Sequence, residues 1–435
     1  MKPTLLLLWP AFDRTGGCDF NPIQHIFGSR NHILPYPLLV AAAAWEEQFD
    51  ITLTDENIRP VTQQELMATD RLIVYAGPFQ EESSRNLAAR ASSLNRQVCL
   101  WGPSAPGLMG APFSGLPPIN PEKNPKYGLV DFSLYGIPAL QFSEGINGFF
   151  DFTRPAIDGR HHPRRPIPPV LADLETLYRG TRGGTTVYVP DDNIFGDAGD
   201  SASRSELPLL FNAVAKWQKE HEHPFEFFIR CPALLAEQED LHSIMIRAGI
   251  SILFLEIPVD NSKTWASVTL RRIVKLRDAG FGVFAAFKAD GIDNDAVDVP
   301  SLITLMQTVA VPMGCLLETA TVTNDFPSPR QAGFTKAVYQ PGPYFERCLK
   351  WVESWNSEGS QTSEKGSVPA NLRLSRIIRN MLIQGLKSNY KILYWKYLFI
   401  SIKRFRKNTT KLALALYLSY FYNVLYPLGD LKENP

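Results

Sequence analysis

Short apolar runs alternate with amphipathic stretches along most of the chain. Residues 5–8 are four leucines, and further short runs stand at 51–54, 72–75 and 98–101. Between them, 37–49 (PLLVAAAAWEEQF, opened by Pro37) and 81–94 carry helical spacing. A run that is apolar at every position reads as a strand covered on both faces. Strands alternating with helices predict βαβ units and a parallel sheet. The order predicts a doubly wound, flavodoxin-like domain over 1–115. Such sheets bind ligands at the carboxyl ends of their strands.

Residues 102–138 are rich in Gly and Pro, beginning Gly102-Pro103-Ser104-Ala105-Pro106-Gly107. They read as loop, with a linker over 116–138. A second series follows: strands at 139–142, 185–189, 225–229, 251–256 and 282–287, and helices at 168–178, 205–221, 234–247, 262–279 and 299–308. Repeated β/α units of this size predict a partial, TIM-like (β/α) barrel over 139–352, with its active site at the strand carboxyl ends. Residues 353–370 are Ser/Gly-rich and read as a flexible linker.

The tail, 371–435, reads as helical. Within it, 390–428 mixes aromatics with Lys391, Lys396, Lys403, Arg404, Arg406, Lys407 and Lys411. Residues 412–428 carry no charge but include four tyrosines, and a span needs about 20 apolar residues. Packing on the barrel, peripheral membrane contact through 390–428 and a true span are the three readings, with packing first.

The 435 residues exceed what one core supports, and 44 basic residues balance 44 acidic ones. A neutral chain has no global drive toward nucleic acid, so no nucleic-acid partner is expected. The five cysteines (Cys18, Cys99, Cys231, Cys315 and Cys348) are scattered, and no two stand at CxxC or CxxxC spacing. Neither a zinc site nor a disulfide scaffold is therefore encoded locally. The opening segment breaks at Pro10 without a small-residue cleavage site, so it reads as a buried strand rather than a signal peptide. The cytoplasm is the expected compartment, with the cytoplasmic membrane face as the alternative. No GxGxxG, GxxxxGK[ST], HExxH or GxSxG is present.

Several segments occur in the order of one known family. Val187-Tyr188-Val189-Pro190-Asp191-Asp192-Asn193 resembles the second barrel strand of the cobalamin-binding radical SAM (S-adenosylmethionine) proteins. Trp217-Gln218, Ile246-Arg247-Ala248-Gly249, Leu253-Phe254-Leu255-Glu256-Ile257-Pro258 and Gly291-Ile292-Asp293-Asn294-Asp295 are similar to that family too. The stretch 338–347 and Tyr394-Trp395 resemble the C-terminal extension of one branch. Pro35-Tyr36-Pro37, Asp55-Glu56-Asn57 and Ala76-Gly77-Pro78 resemble its cobalamin-binding domain.

The resemblance implies cobalamin as cofactor, cradled by Pro37, Gly77, Gly102, Pro103, Ser104 and Gly107, with no Asp-x-His-x-x-Gly to supply a histidine ligand. The alternative is that these glycines only shape a loop. Glu256 matches an acidic residue that contacts SAM in the family, so SAM binding stays open. Asp191, Asp192 and Asn193, at a strand end, are the candidate catalytic groups, able to bind an amine or hydroxyl or to move a proton. A fold-maintaining turn is the alternative.

One departure changes the chemistry. Family members carry Cys-x-x-x-Cys-x-x-Cys after the first barrel strand, and three such thiolates hold a [4Fe–4S] cluster. This chain has no cysteine between Cys99 and Cys231, so no cluster is expected. Two functions stay open. One is a corrinoid-dependent, non-radical methyl transfer to an unknown small-molecule or lipid-like substrate. The other is a catalytically silent pseudoenzyme that partners or regulates an active homologue.

Overall fold

The leucine run becomes β1 (Thr4–Trp9), the centre of a four-stranded parallel sheet with β3 (Asp50–Asp55), β4 (Arg71–Tyr75) and β5 (Val98–Trp101), in the order β3-β1-β4-β5. Side chains on a strand alternate between faces. Leu5, Leu7 and Trp9 pack with Leu38, Ala41, Ala42 and Trp45 of α1 (Tyr36–Trp45). Leu6 and Leu8 pack with Leu66 of α2 (Gln63–Ala68) and with Leu87 and Ala91 of α3 (Glu81–Ser93). Both faces are dry, which is why the run needs no polar position. Helix α1 is apolar all round for the same reason: Tyr36, Leu39 and Val40 face the large core of the following half.

This computed structural model describes residues 2–11, 32–77, 80–102, 124–132, 135–137, 140, 142, 164–181, 185–189, 191, 194–195, 201–260, 262, 264–289, 298–317, 329–355, 381–408, 411–412, 414–416, 418–419 and 422. A short strand β2 (His32–Ile33) pairs with β6 (Tyr135–Ile137), so strand structure occurs inside the stretch read as loop. Two- and three-residue strands are too short to leave a period in the sequence.

The second half is a five-stranded parallel sheet: β7 (Thr185–Val189), β8 (Phe225–Pro232), β9 (Ile250–Pro258), β10 (Gly282–Lys288) and β11 (Gly314–Leu317). These strands lie side by side in chain order. The helices between them are α4 (Ile167–Thr181, before β7), α5 (Ser201–Glu220), α6 (Glu239–Arg247), α7 (Trp265–Asp278) and α8 (Val299–Thr308). The fold is thus α/β, a flavodoxin-like sheet joined to a partial barrel. The expected strand at 139–142 is described only at Leu140, whose N–H donates to Tyr188 O (3.0 Å), and at Phe142. The helix expected over 234–247 splits into a 3-10 turn (Ala233–Glu237) and α6.

Two further helices, α9 (Pro329–Val338) and α10 (Pro341–Ser354), follow β11. Trp351 of α10 lies over Gly282 and stacks on Phe284 at 5.5 Å. Phe284 and Phe254 in turn meet Phe228 edge-on. Fully buried Arg347 donates to Val311 O (3.0 Å), Gln307 Oε1 (2.8 Å) and Val338 O. A cation placed at the carboxyl ends of α8 and α9 satisfies carbonyls those helices cannot.

The tail packs on α10. Its helix α11 (Lys391–Phe405) buries Tyr394, Tyr397, Leu398, Ser401 and Phe405. Phe345 stacks on Tyr397 at 4.7 Å, and the Tyr344 and Tyr397 hydroxyls donate to Leu418 O and Ala415 O. No helix among the described residues is long and apolar enough to cross a membrane.

Candidate functional site

Two strand-end regions carry polar groups. The first is the carboxyl edge of the four-stranded sheet. The chain leaves β1 toward β3 on one side and β4 on the other, so the crevice where the strand order reverses lies between β1 and β4. Pro10 follows β1, and its carbonyl accepts from Asn57 Nδ2 (3.1 Å) and Gln80 Nε2 (2.6 Å). On the same sheet, Ala76-Gly77 follow β4 and Gly102 follows β5. Gly102 has φ +137°, and a Cβ there would stand 2.6 Å from Ala76 O, so only glycine keeps the two strand ends this close.

Asp55 closes β3 at the same edge. It accepts from Asn57 N (2.8 Å), Asn57 Nδ2 (2.9 Å) and the Tyr135 hydroxyl (3.2 Å). Burial pushes its carboxyl up to about 6, against those hydrogen bonds. Pro37 sits buried in the first turn of α1. Of the six residues expected to cradle cobalamin, Gly77 and Gly102 thus end neighbouring strands. Pro103, Ser104 and Gly107 lie outside the described residues.

The second region is on the five-stranded sheet. Glu226, Phe228 and Arg230 alternate onto one face of β8, with Phe254 and Glu256 on β9 and Phe284 and Lys288 on β10. Arg230 is almost fully buried, and its guanidinium pairs with one oxygen of Glu256. Lys288 Nζ stands 3.9 Å from the other. Glu256 keeps 16% of its side chain exposed, so the pair can be reached from solvent. A guanidinium this buried requires an anionic partner, and Glu256 provides it. Two cations thus converge on one carboxylate at the strand ends. At the opposite end of β8, the surrounding protein pushes the partly buried Glu226 carboxyl up to about 7.

Asp191 follows β7 and is buried, and its Oδ2 accepts from Phe142 N (2.8 Å). That bond fixes the chain at Phe142. Asp192 and Asn193 lie outside the described residues, so Asp191 alone of the three candidate catalytic groups has a described setting.

Between the two regions lies a buried ion pair. Arg165 Nη1 meets Asp173 Oδ2 of α4 at 2.7 Å and reaches the Tyr36 hydroxyl of α1 at 3.5 Å. Burial raises the Asp173 carboxyl to about 6, with Arg165 opposing the shift. Arg165 thereby ties the first half to the barrel helices. Cys99, Cys231, Cys315 and Cys348 are buried on β5, β8, β11 and α10, and burial lifts the Cys348 thiol to about 12. Cys18 is outside the described residues.

Reading residues singly misses Arg230 and Lys288. Arg230 stands two and four positions after Phe228 and Glu226, a parity that places all three on one face. Its partner on β9 follows only from the register.

Residues 332–427, which include α10 and α11, match a family described as "Domain of unknown function (DUF4070)". A Synechocystis protein described as an uncharacterized methyltransferase is 23% identical over 295 residues, covering 60% of this chain and 53% of that protein. The chain therefore spans about half the length of the curated relative it matches.

Proposed function

We propose that the chain serves a methyl-transfer-related reaction, with a corrinoid lodged at the crevice between β1 and β4. The observation that carries this reading is the Arg230–Glu256–Lys288 group at the carboxyl ends of parallel strands, in a chain similar to a methyltransferase. The strand ends at Ala76-Gly77 and Gly102 carry no bulky side chain and fit the close approach of a flat macrocycle. Gly77, Gly102 and Pro37 would line its site, and Pro103, Ser104 and Gly107 follow Gly102 in the sequence. A corrinoid supplies a methyl carrier when bound.

The chain's own residues then bind and orient. Glu256 accepts from an amine or hydroxyl. Arg230 and Lys288 favour a carboxylate or phosphate on the same ligand. The amine and carboxylate of SAM satisfy both requirements.

Calorimetry with hydroxocobalamin, methylcobalamin and SAM tests the reading. Cobalamin binding is expected in the wild type and in Glu256→Gln alike, with SAM binding weakened only in the variant. Absence of cobalamin binding sinks the corrinoid part of the proposal.

The second reading is a silent partner of an active homologue. It is favoured by Asp191, whose Oδ2 is committed to the Phe142 amide, and by the missing cysteines. On that reading, cobalamin and SAM titrations give no heat, and mixing with a homologue that retains the cysteines yields a stable complex in light scattering.

A further inference from the structure

Ten large apolar side chains are exposed among the described residues: Met67, Leu209, Leu234, Leu382, Leu386, Ile392, Leu393, Trp395, Phe399 and Ile402. Seven of them fall within 382–402, so they form one surface rather than the usual scatter. Helix α11 explains why. Tyr394, Tyr397, Leu398, Ser401 and Phe405 take its inward face. Ile392, Trp395, Phe399 and Ile402 recur at steps of three and four on the outward face, where Ile392 is 78% and Phe399 68% exposed.

The turn before the helix extends this surface. Trp395 Nε1 donates to Gly385 O (2.9 Å), and the indole ring lies against Gly385. Leu382 and Leu386 flank that contact and are themselves exposed.

The charge along this stretch of the sequence has one sign. Residues 365–429 contain twelve Lys and Arg and no Asp or Glu, in a chain whose net charge is +0. Arg404 is tied to Glu353 of α10 (2.6 Å), and Lys411 to the Glu353 carbonyl. At helical spacing Lys391, Lys396, Lys403 and Arg406 border the apolar stripe, all exposed. An apolar, aromatic-bearing strip rimmed by cations is the form of helix that lies in a bilayer interface: its stripe enters the headgroup boundary while lysine stems keep their charge in water.

We infer that the outward face of α11, with the turn 382–387, is a docking surface for an anionic membrane. The chain lies on the bilayer without crossing it. The inference is independent of the methyl-transfer reading, because it uses the face opposite the one that packs on α10.

The test is co-sedimentation of the full chain with vesicles of equal parts phosphatidylglycerol and phosphatidylcholine, against phosphatidylcholine alone. Binding is expected on the anionic vesicles only and falls with added salt. Lys396→Gln/Lys403→Gln weakens it about thirtyfold, at about fivefold per lysine. Ile392→Ser/Phe399→Ser weakens it about tenfold or more. Leu209→Ser, at an exposed leucine on α5, leaves it unchanged. Circular dichroism melts identify any variant that fails to fold, and for such a position the milder Phe399→Ala replaces it.

Three results overturn the inference: no binding, equal binding to neutral vesicles, or variants that bind as the wild type does. A dimer in light scattering that Phe399→Ser dissociates also overturns it, since a second copy then covers the face.

Discussion

The two sheets are built from the same unit, a parallel strand followed by a helix, yet they bury their strands differently. In the four-stranded sheet the order reverses at β1, so helices cover both faces and β1 divides its side chains between two separate cores. In the five-stranded sheet the order never reverses, so the crossover helices lie on one face. The other face must be closed by something else. The chain closes it with α10, through Trp351 on Phe284, and seals α10 with the aromatic tail. Reversal therefore produces a crevice, and monotonic order produces a face that a later segment must fill. The tail thus belongs to the second sheet's core.

The largest expected effect comes from opening that closure. Trp351→Ala leaves a cavity over Phe284 and costs about 4 kcal/mol in chemical denaturation. A loss under about 1 kcal/mol would mean that the face is closed without it.

Separating the halves comes next. Asp173→Asn leaves Arg165 buried without its counter-charge and costs about 3 kcal/mol. The double variant Arg165→Met/Asp173→Leu recovers most of that loss, which a double-mutant cycle measures.

At the crevice, Gly102→Ala forces a side chain onto φ +137° and against Ala76 O. About 2 kcal/mol of stability is lost, with the second half unaffected in hydrogen exchange.

The smallest effect is a gain. Glu226 has its carboxyl raised from 4.5 to about 7, so the folded state holds the proton more tightly. Its contribution is fully present below pH 4.5 and is lost as pH rises through 7. Glu226→Gln should match the wild type at pH 4.5 and exceed it by about 1.5 kcal/mol at pH 8.5 in urea denaturation.

The β/α alternation, the positions of eight of the eleven strands among the described residues and the helical tail were legible in the residues. The pattern is dense there, with all-apolar β1 and α1 already signalling burial on both sides. The short pair β2 and β6 left no period. Gly77, Gly102, Asp191 and Glu256 were identifiable as strand-end residues, because each directly follows or lies within an apolar run. Their partners were not. Arg230 reaches Glu256 across 26 residues, a pairing set only by strand register, and Asp191 reaches Phe142 across 49.

By itself the sequence determined the alternation of elements, the absence of a cluster-binding cysteine set and the all-basic stretch at 365–429. These are local properties of side chains and their spacing. Only the tertiary structure decided which way each sheet winds, that Arg165 bridges the halves, and that α11 turns its tyrosines inward while leaving Ile392, Trp395, Phe399 and Ile402 outside. Helix α11 is apolar or aromatic on both faces, so periodicity cannot say which face packs. The choice belongs to α10, whose Tyr344 and Phe345 offer the complementary aromatic surface.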